Sequence, residues 1–138
     1  MAACFCRPWR LHPMTSQSEP AVGGAPVRRF KDRSHVAVAP TLGELRARID
    51  QLDAQIVALM AQRAACVRDA TRFKRDAYQV AAPARQAQVF ERVRALAQAQ
   101  VTSFPDFPDV VEATYRAMVG GFVAGEAQLF NETETITS

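Results

Sequence analysis

Residues 41–74 read TLGELRARIDQLDAQIVALMAQRAACVRDATRFK, and the spacing within them decides the fold. Apolar or small residues recur at Leu42, Leu45, Ile49, Leu52, Ile56, Leu59, Cys66, Ala70 and Phe73. The steps alternate three and four, which is the seam of one long amphipathic helix. Between Leu59 and Cys66 the register calls for an apolar residue, and the chain supplies Arg63. A guanidinium on a buried seam is costly unless it meets an anion. Thr41, followed three residues later by Glu44, makes a capping box, and Pro40 stops the helix extending backwards.

At ~1.5 Å per residue this helix is a rod of about 50 Å. A globule of about 100 residues has a radius of gyration near 13 Å. The chain is too short to wrap such a rod, so its seam would stay wet in a monomer. The expectation is a dimer or higher oligomer in which the long helices lie along each other.

Outward from that stretch, residues 1–40 are rich in Pro, Gly, Ser and Arg, without an apolar period, and read as a disordered tail. The apolar run at Met1 is too short for a signal peptide; a transit peptide, or a true start at Met14, is the alternative reading of this end. Downstream, residues 75–82 lack a helical period and read as a loop. A second helix begins at Pro83, with Val89, Val93 and Leu96 as its stripe and Phe90 and Ala97 beside it, and fades near Gln100. Residues 102–108 form a loop with two prolines. A third helix runs from about Pro108 to Leu129, with Val111, Tyr115, Met118, Phe122 and Val123 on its apolar side. Gly120 and Gly121 either permit close helix contact or are tolerated. Residues 131–138 are a polar tail. The reading is all-α: three helices, one very long, in a domain spanning residues 41–130, with no strand signal and no Gly-rich phosphate loop.

The net charge of +3 misleads as a guide to function. Residues 1–40 hold six Lys and Arg against Glu19 and Asp32, whereas residues 41–138 hold eleven against twelve acids. The body is not basic, so no nucleic-acid partner is expected. No run reaches the length of a membrane span. Of Cys4, Cys6 and Cys66, two lie in the tail and one on the seam, which suits a reducing, cytoplasmic location. A Cys-x-Cys pair alone is weak support for a metal. Both histidines, His12 and His35, lie in the tail, which removes His-based triads and metal sites from the body. No cofactor and no metal are expected.

Lys74 follows Arg63 by eleven residues, which on a helix returns it to the same face within ~20° and about 16 Å further along. Arg85 can fold back over the same patch. Arg46 lies about 42 Å before Lys74 on one rod. It reaches the patch only in an antiparallel dimer, where the start of one long helix meets the end of its partner. Four cations suit a small ligand with two carboxylates, the arginines as bidentate forks and the lysine as a point charge. The competing reading makes each a surface charge with a solvated head. Arg48, Arg68, Arg72, Arg92 and Arg94 read as solvated faces.

Taken together, residues 45–53 (LRARIDQLD), residues 56–63 (IVALMAQR), residues 71–74 (TRFK) and residues 83–85 (PAR) resemble the all-helical chorismate mutases. The likeness runs from about Leu45 to Gln128. It implies an intertwined helical homodimer with two equivalent sites, each taking Arg46 from one protomer and the rest from the other. It also implies that Arg46, Arg63 and Arg85 bind substrate carboxylates, and that Lys74 reaches a carboxylate and the ether oxygen. A Gln or Glu on the third helix donates to that ether oxygen in the family; the position here is Glu126. Many mutases carry a glutamate directly after the arginine matching Arg85, contacting the substrate hydroxyl, and this chain has Gln86 there. Phe122 replaces a small polar residue found in some mutases.

The rearrangement of chorismate to prephenate is pericyclic and needs no nucleophile, base or metal, which fits a body without histidine. Glu126 can donate only when protonated, so activity is expected to rise toward acid pH and Glu126→Gln to flatten the profile. Two further readings stand beside the mutase. Isochorismate pyruvate lyases, which form salicylate and pyruvate, share the fold and the cationic pocket. Arg-Phe-Lys before the loop and Ala-Pro-x-Arg after it lean toward them, whereas Glu126 in place of glutamine leans away. A non-catalytic helical dimerisation module would have no need of Arg63 or Lys74.

Overall fold

The structure, a computed structural model, describes residues 18–136. Cys4, Cys6, His12 and Met14 lie outside the described residues. The elements are α1 (Leu42–Ala70), a 3-10 turn (Thr71–Phe73), α2 (Ala77–Ala81), α3 (Pro83–Gln98) and α4 (Phe107–Phe130). Among the described residues there is no strand, and the fold is all-helical. The chain divides into two compact units, Met1–Ala54 and Gln55–Ser138.

In the first unit, residues 18–40 carry neither helix nor strand and are almost all exposed. Thr41 Oγ1 accepts a hydrogen bond from the Glu44 N–H at 3.2 Å, as the capping motif requires. A second donor of the helix start is also satisfied: the Gly43 N–H donates to the Val22 carbonyl at 2.9 Å. A Cβ at position 43 would sit 3.2 Å from that carbonyl oxygen, so glycine permits this close approach.

Helix α1 has no buried residue along its 29 positions. Ile49 (53%), Leu52 (49%), Ile56 (53%) and Leu59 (61%) leave about half their surface to solvent. Its regular α geometry ends at Ala70, short of the predicted Lys74. The last turn tightens, Lys74 N–H donating to the Thr71 carbonyl at 3.2 Å, and Lys74 itself is extended. Such i+3 bonds occupy carbonyls that a helix end leaves without partners.

The segment predicted as a loop before Pro83 contains helix α2. Asp76 caps it, Oδ1 accepting from the Gln79 N–H at 2.9 Å, and Gln79 Oε1 accepts from the Arg75 N–H at 2.7 Å. This is a capping box in reduced form. Five residues are too few to display a helical period. Ala82, at φ 44°, ends α2 in the left-handed region, and Pro83 starts α3 at once.

The core of the second unit is Val80, Phe90, Val93, Ala97 and Val119, contributed by α2, α3 and α4. The buried stripe of α3 is Phe90, Val93 and Ala97, rotated from the predicted Val89, Val93 and Leu96; Leu96 is half exposed. The Phe90 ring takes the contact with α4, covered by the Arg116 guanidinium 4.4 Å from its centroid. Arg94, read as solvated, pairs with Asp109 and ties α3 to the start of α4. On α4 the buried residues are Val119 and, unexpectedly for an acid, Glu126. A Cβ at Gly120 or Gly121 would meet nothing within 4 Å, so neither serves close contact within the chain.

Candidate active site

A cavity of about 300 Å³ opens where the end of α1, helix α2 and the first turn of α3 face α4. Arg63, Lys74, Arg85, Gln86 and Glu126 all line it, against an apolar wall that includes Val80, Val89, Val119 and Phe122. Five of the six predicted site residues therefore share one cavity. Arg46 belongs to the first unit, where its guanidinium lies 3.8 Å from the exposed Glu19 carboxylate.

Each cation is held differently. Arg63 is half-buried, its guanidinium 5.9 Å from the centroid of Tyr115 and 5.7 Å from that of Phe122, within reach of both ring faces. Aromatic faces therefore accommodate the cation that breaks the seam. Among the described residues neither Arg63 nor Arg85 has a carboxylate within 4.0 Å. Arg85 stands in the first turn of α3, where the helix dipole already favours negative charge, so two positive sources converge on one spot.

Lys74 and Glu126 form the one pair inside the cavity, Nζ to Oε1 at 2.7 Å, with Glu126 only 3% exposed. Lys74 Nζ also donates to the Val80 carbonyl at 3.5 Å, which draws α2 into the site. Thr71, itself buried, places its hydroxyl 3.4 Å from Glu126 Oε1 and 3.3 Å from the Val67 carbonyl. Glu126 Oε2 has no hydrogen-bond partner, yet no buried side-chain oxygen of the described residues is left unsatisfied. Oε2 therefore keeps some exposure, and Glu126 lines the cavity. The Gln86 amide donates to the Ala81 carbonyl at the end of α2, so one of its N–H groups is already committed.

Sequence reasoning missed three contributors. Val80 fell in a segment read as loop, Tyr115 was read only as an apolar position, and Thr71 was quoted as part of a motif without a role. The Asp76-x-x-Gln79 pattern was the one local signal for the first. Larger concavities of about 470 and 530 Å³ lie elsewhere on the unit, each lined by two arginines and two acids. The cavity at Arg63 differs in holding three cations against one acid. Such a surplus gives the cavity wall a net positive charge.

The structure is an all-helical scaffold with a cationic, partly apolar cavity between helices. The family model described as "Chorismate mutase type II" matches residues 45–127, and the chain belongs to that family. No curated protein and no solved structure matches the chain. Among the described residues no helix is long and apolar enough to cross a membrane.

Proposed function

We propose that the protein is a chorismate mutase acting as a homodimer. The observation that carries this reading is the cavity with Arg63, Lys74 and Arg85 on its wall and Glu126 as the sole carboxylate. Arg63 and Arg85 take the two carboxylates of chorismate, and a second copy of the chain adds Arg46. Lys74 lies against a carboxylate and the ether oxygen. In the reaction the C–O ether bond breaks as a C–C bond forms, and no proton or electron leaves the substrate. The site holds the folded conformer and stabilises the negative charge growing on the ether oxygen. Lys74 supplies a fixed charge there, and the Glu126 carboxyl can donate to the same oxygen only in its protonated form. The cavity's volume sits at the small end of the range for ligand pockets, about 300–1,000 Å³, as suits a compact substrate. The homodimer is supported by a helix of 29 residues with none buried.

One observation favours a second reading, isochorismate pyruvate lyase. Gln86 is tied to the Ala81 carbonyl, so the position that contacts the substrate hydroxyl in many mutases carries no acid and is partly committed. The test is a product assay with chorismate and isochorismate supplied separately, resolving prephenate, salicylate and pyruvate. Prephenate far above the uncatalysed rate is the expected result. Faster salicylate and pyruvate would assign the lyase. Neither product from a folded dimer would leave the helical dimerisation module.

A further inference from the structure

We infer that Thr71 is a positioning residue for catalysis: its hydroxyl holds the carboxyl of Glu126 by Oε1, which keeps Oε2 toward the ligand. The inference rests on the mutase reading above and adds to it a residue outside the cationic set.

The geometry is asymmetric. Both protein contacts to the carboxyl fall on Oε1, from Lys74 Nζ at 2.7 Å and from Thr71 Oγ1 at 3.4 Å. A lysine ammonium has donors only, so both contacts use Oε1 as an acceptor. Lys74, however, also has to serve the ligand. When its donors turn toward a bound carboxylate and ether oxygen, its hold on Oε1 loosens. Thr71 is then the contact to Oε1 that involves no ligand atom.

Thr71 is suited to that task. It is 3% exposed, at the first position of the 3-10 turn, and β-branched, so its χ1 is restricted. Its single O–H has two acceptors in reach, Glu126 Oε1 and the Val67 carbonyl. Hydrogen bonds in unliganded catalytic sites are often long and tighten when the substrate binds. Without the hydroxyl, the carboxyl can turn over, and Oε2 loses its place at the ether oxygen.

The test is a kinetic cycle on the full-length chain with chorismate, comparing wild type, Thr71→Val, Thr71→Ser, Glu126→Ala and the double variant Thr71→Val/Glu126→Ala. Thr71→Val keeps the shape and removes the hydroxyl. It is expected to lower kcat about tenfold, the scale of one hydrogen bond to a charged partner, with KM within about twofold. Thr71→Ser restores kcat to near wild type. In the Glu126→Ala background, Thr71→Val causes no further loss, because the group it positions is gone. A purely structural threonine would instead give the same loss in both backgrounds, and that result overturns the inference. So does an unchanged kcat in Thr71→Val. If the valine variant does not fold, Thr71→Ala takes its place in the same cycle. Absence of prephenate from the wild type would overturn the mutase reading instead, so the two failures are distinguishable.

Discussion

Arg63 occupies a seam position of α1 with aromatic rings at its guanidinium and, among the described residues, no carboxylate partner, which fits the ligand-binding role proposed for it. Arg63→Ala is therefore expected to leave the fold intact and lower kcat/KM for chorismate by about 10²-fold or more. Steady-state kinetics beside a thermal melt checks this. Lys74→Ala behaves differently. It strands a buried carboxylate, so it loses about 3 kcal/mol of stability as well as activity, read by urea unfolding. In the proposed role Glu126 donates only in its protonated form, so kcat is expected to fall as pH rises. Glu126→Gln, which donates at any pH, gives a flat profile in the same assay, and an unchanged slope in that variant would refute the role. Arg63 was legible in the sequence because it is a cation where the periodic pattern demands an apolar residue, and Lys74 because its spacing returns it to the same face. Thr71 was not, because the partner that gives it meaning is 55 residues away.

Helix α2 positions more of the cavity than its five residues suggest, since its Val80 carbonyl meets Lys74 and its Ala81 carbonyl meets Gln86. Its stability depends on the Asp76 cap, because so short a helix cannot sustain itself. Asp76→Ala is expected to cost about 1 kcal/mol, roughly 4 °C in Tm, and to raise KM more than it lowers kcat. Calorimetry and initial-rate kinetics read the two effects. The other helices were legible from period and punctuation: Pro40 and Thr41 before α1, Pro83 opening α3, the Pro-rich loop before α4. What periodicity could not give was rotation. The stripe of α3 turned by about one residue because the Phe90 ring, flanking the predicted stripe, fills the contact with α4 and leaves Leu96 in solvent. Glu126 inside α4 was placed by resemblance, since no period marks a buried carboxylate whose partner lies beyond another helix.

For the whole molecule, the length of α1 and its lack of buried residues bear on one question, whether the site is complete in a single chain. The cavity holds three cations, and the reading proposed above takes Arg46 from a second copy. The direct measurement uses two defective chains, Arg46→Ala and Arg63→Ala, co-expressed with different tags so that the mixed dimer can be purified. Neither substitution removes a partner from a buried carboxylate, so both chains are expected to fold. Each homodimer carries the defect in both sites and is nearly inactive. The mixed dimer has one site bearing both defects and one bearing neither, so the account predicts about half the wild-type rate of prephenate formation per dimer. A mixed dimer as inactive as its parents would contradict a site shared between two chains, and no recoverable mixed dimer would contradict the dimer itself.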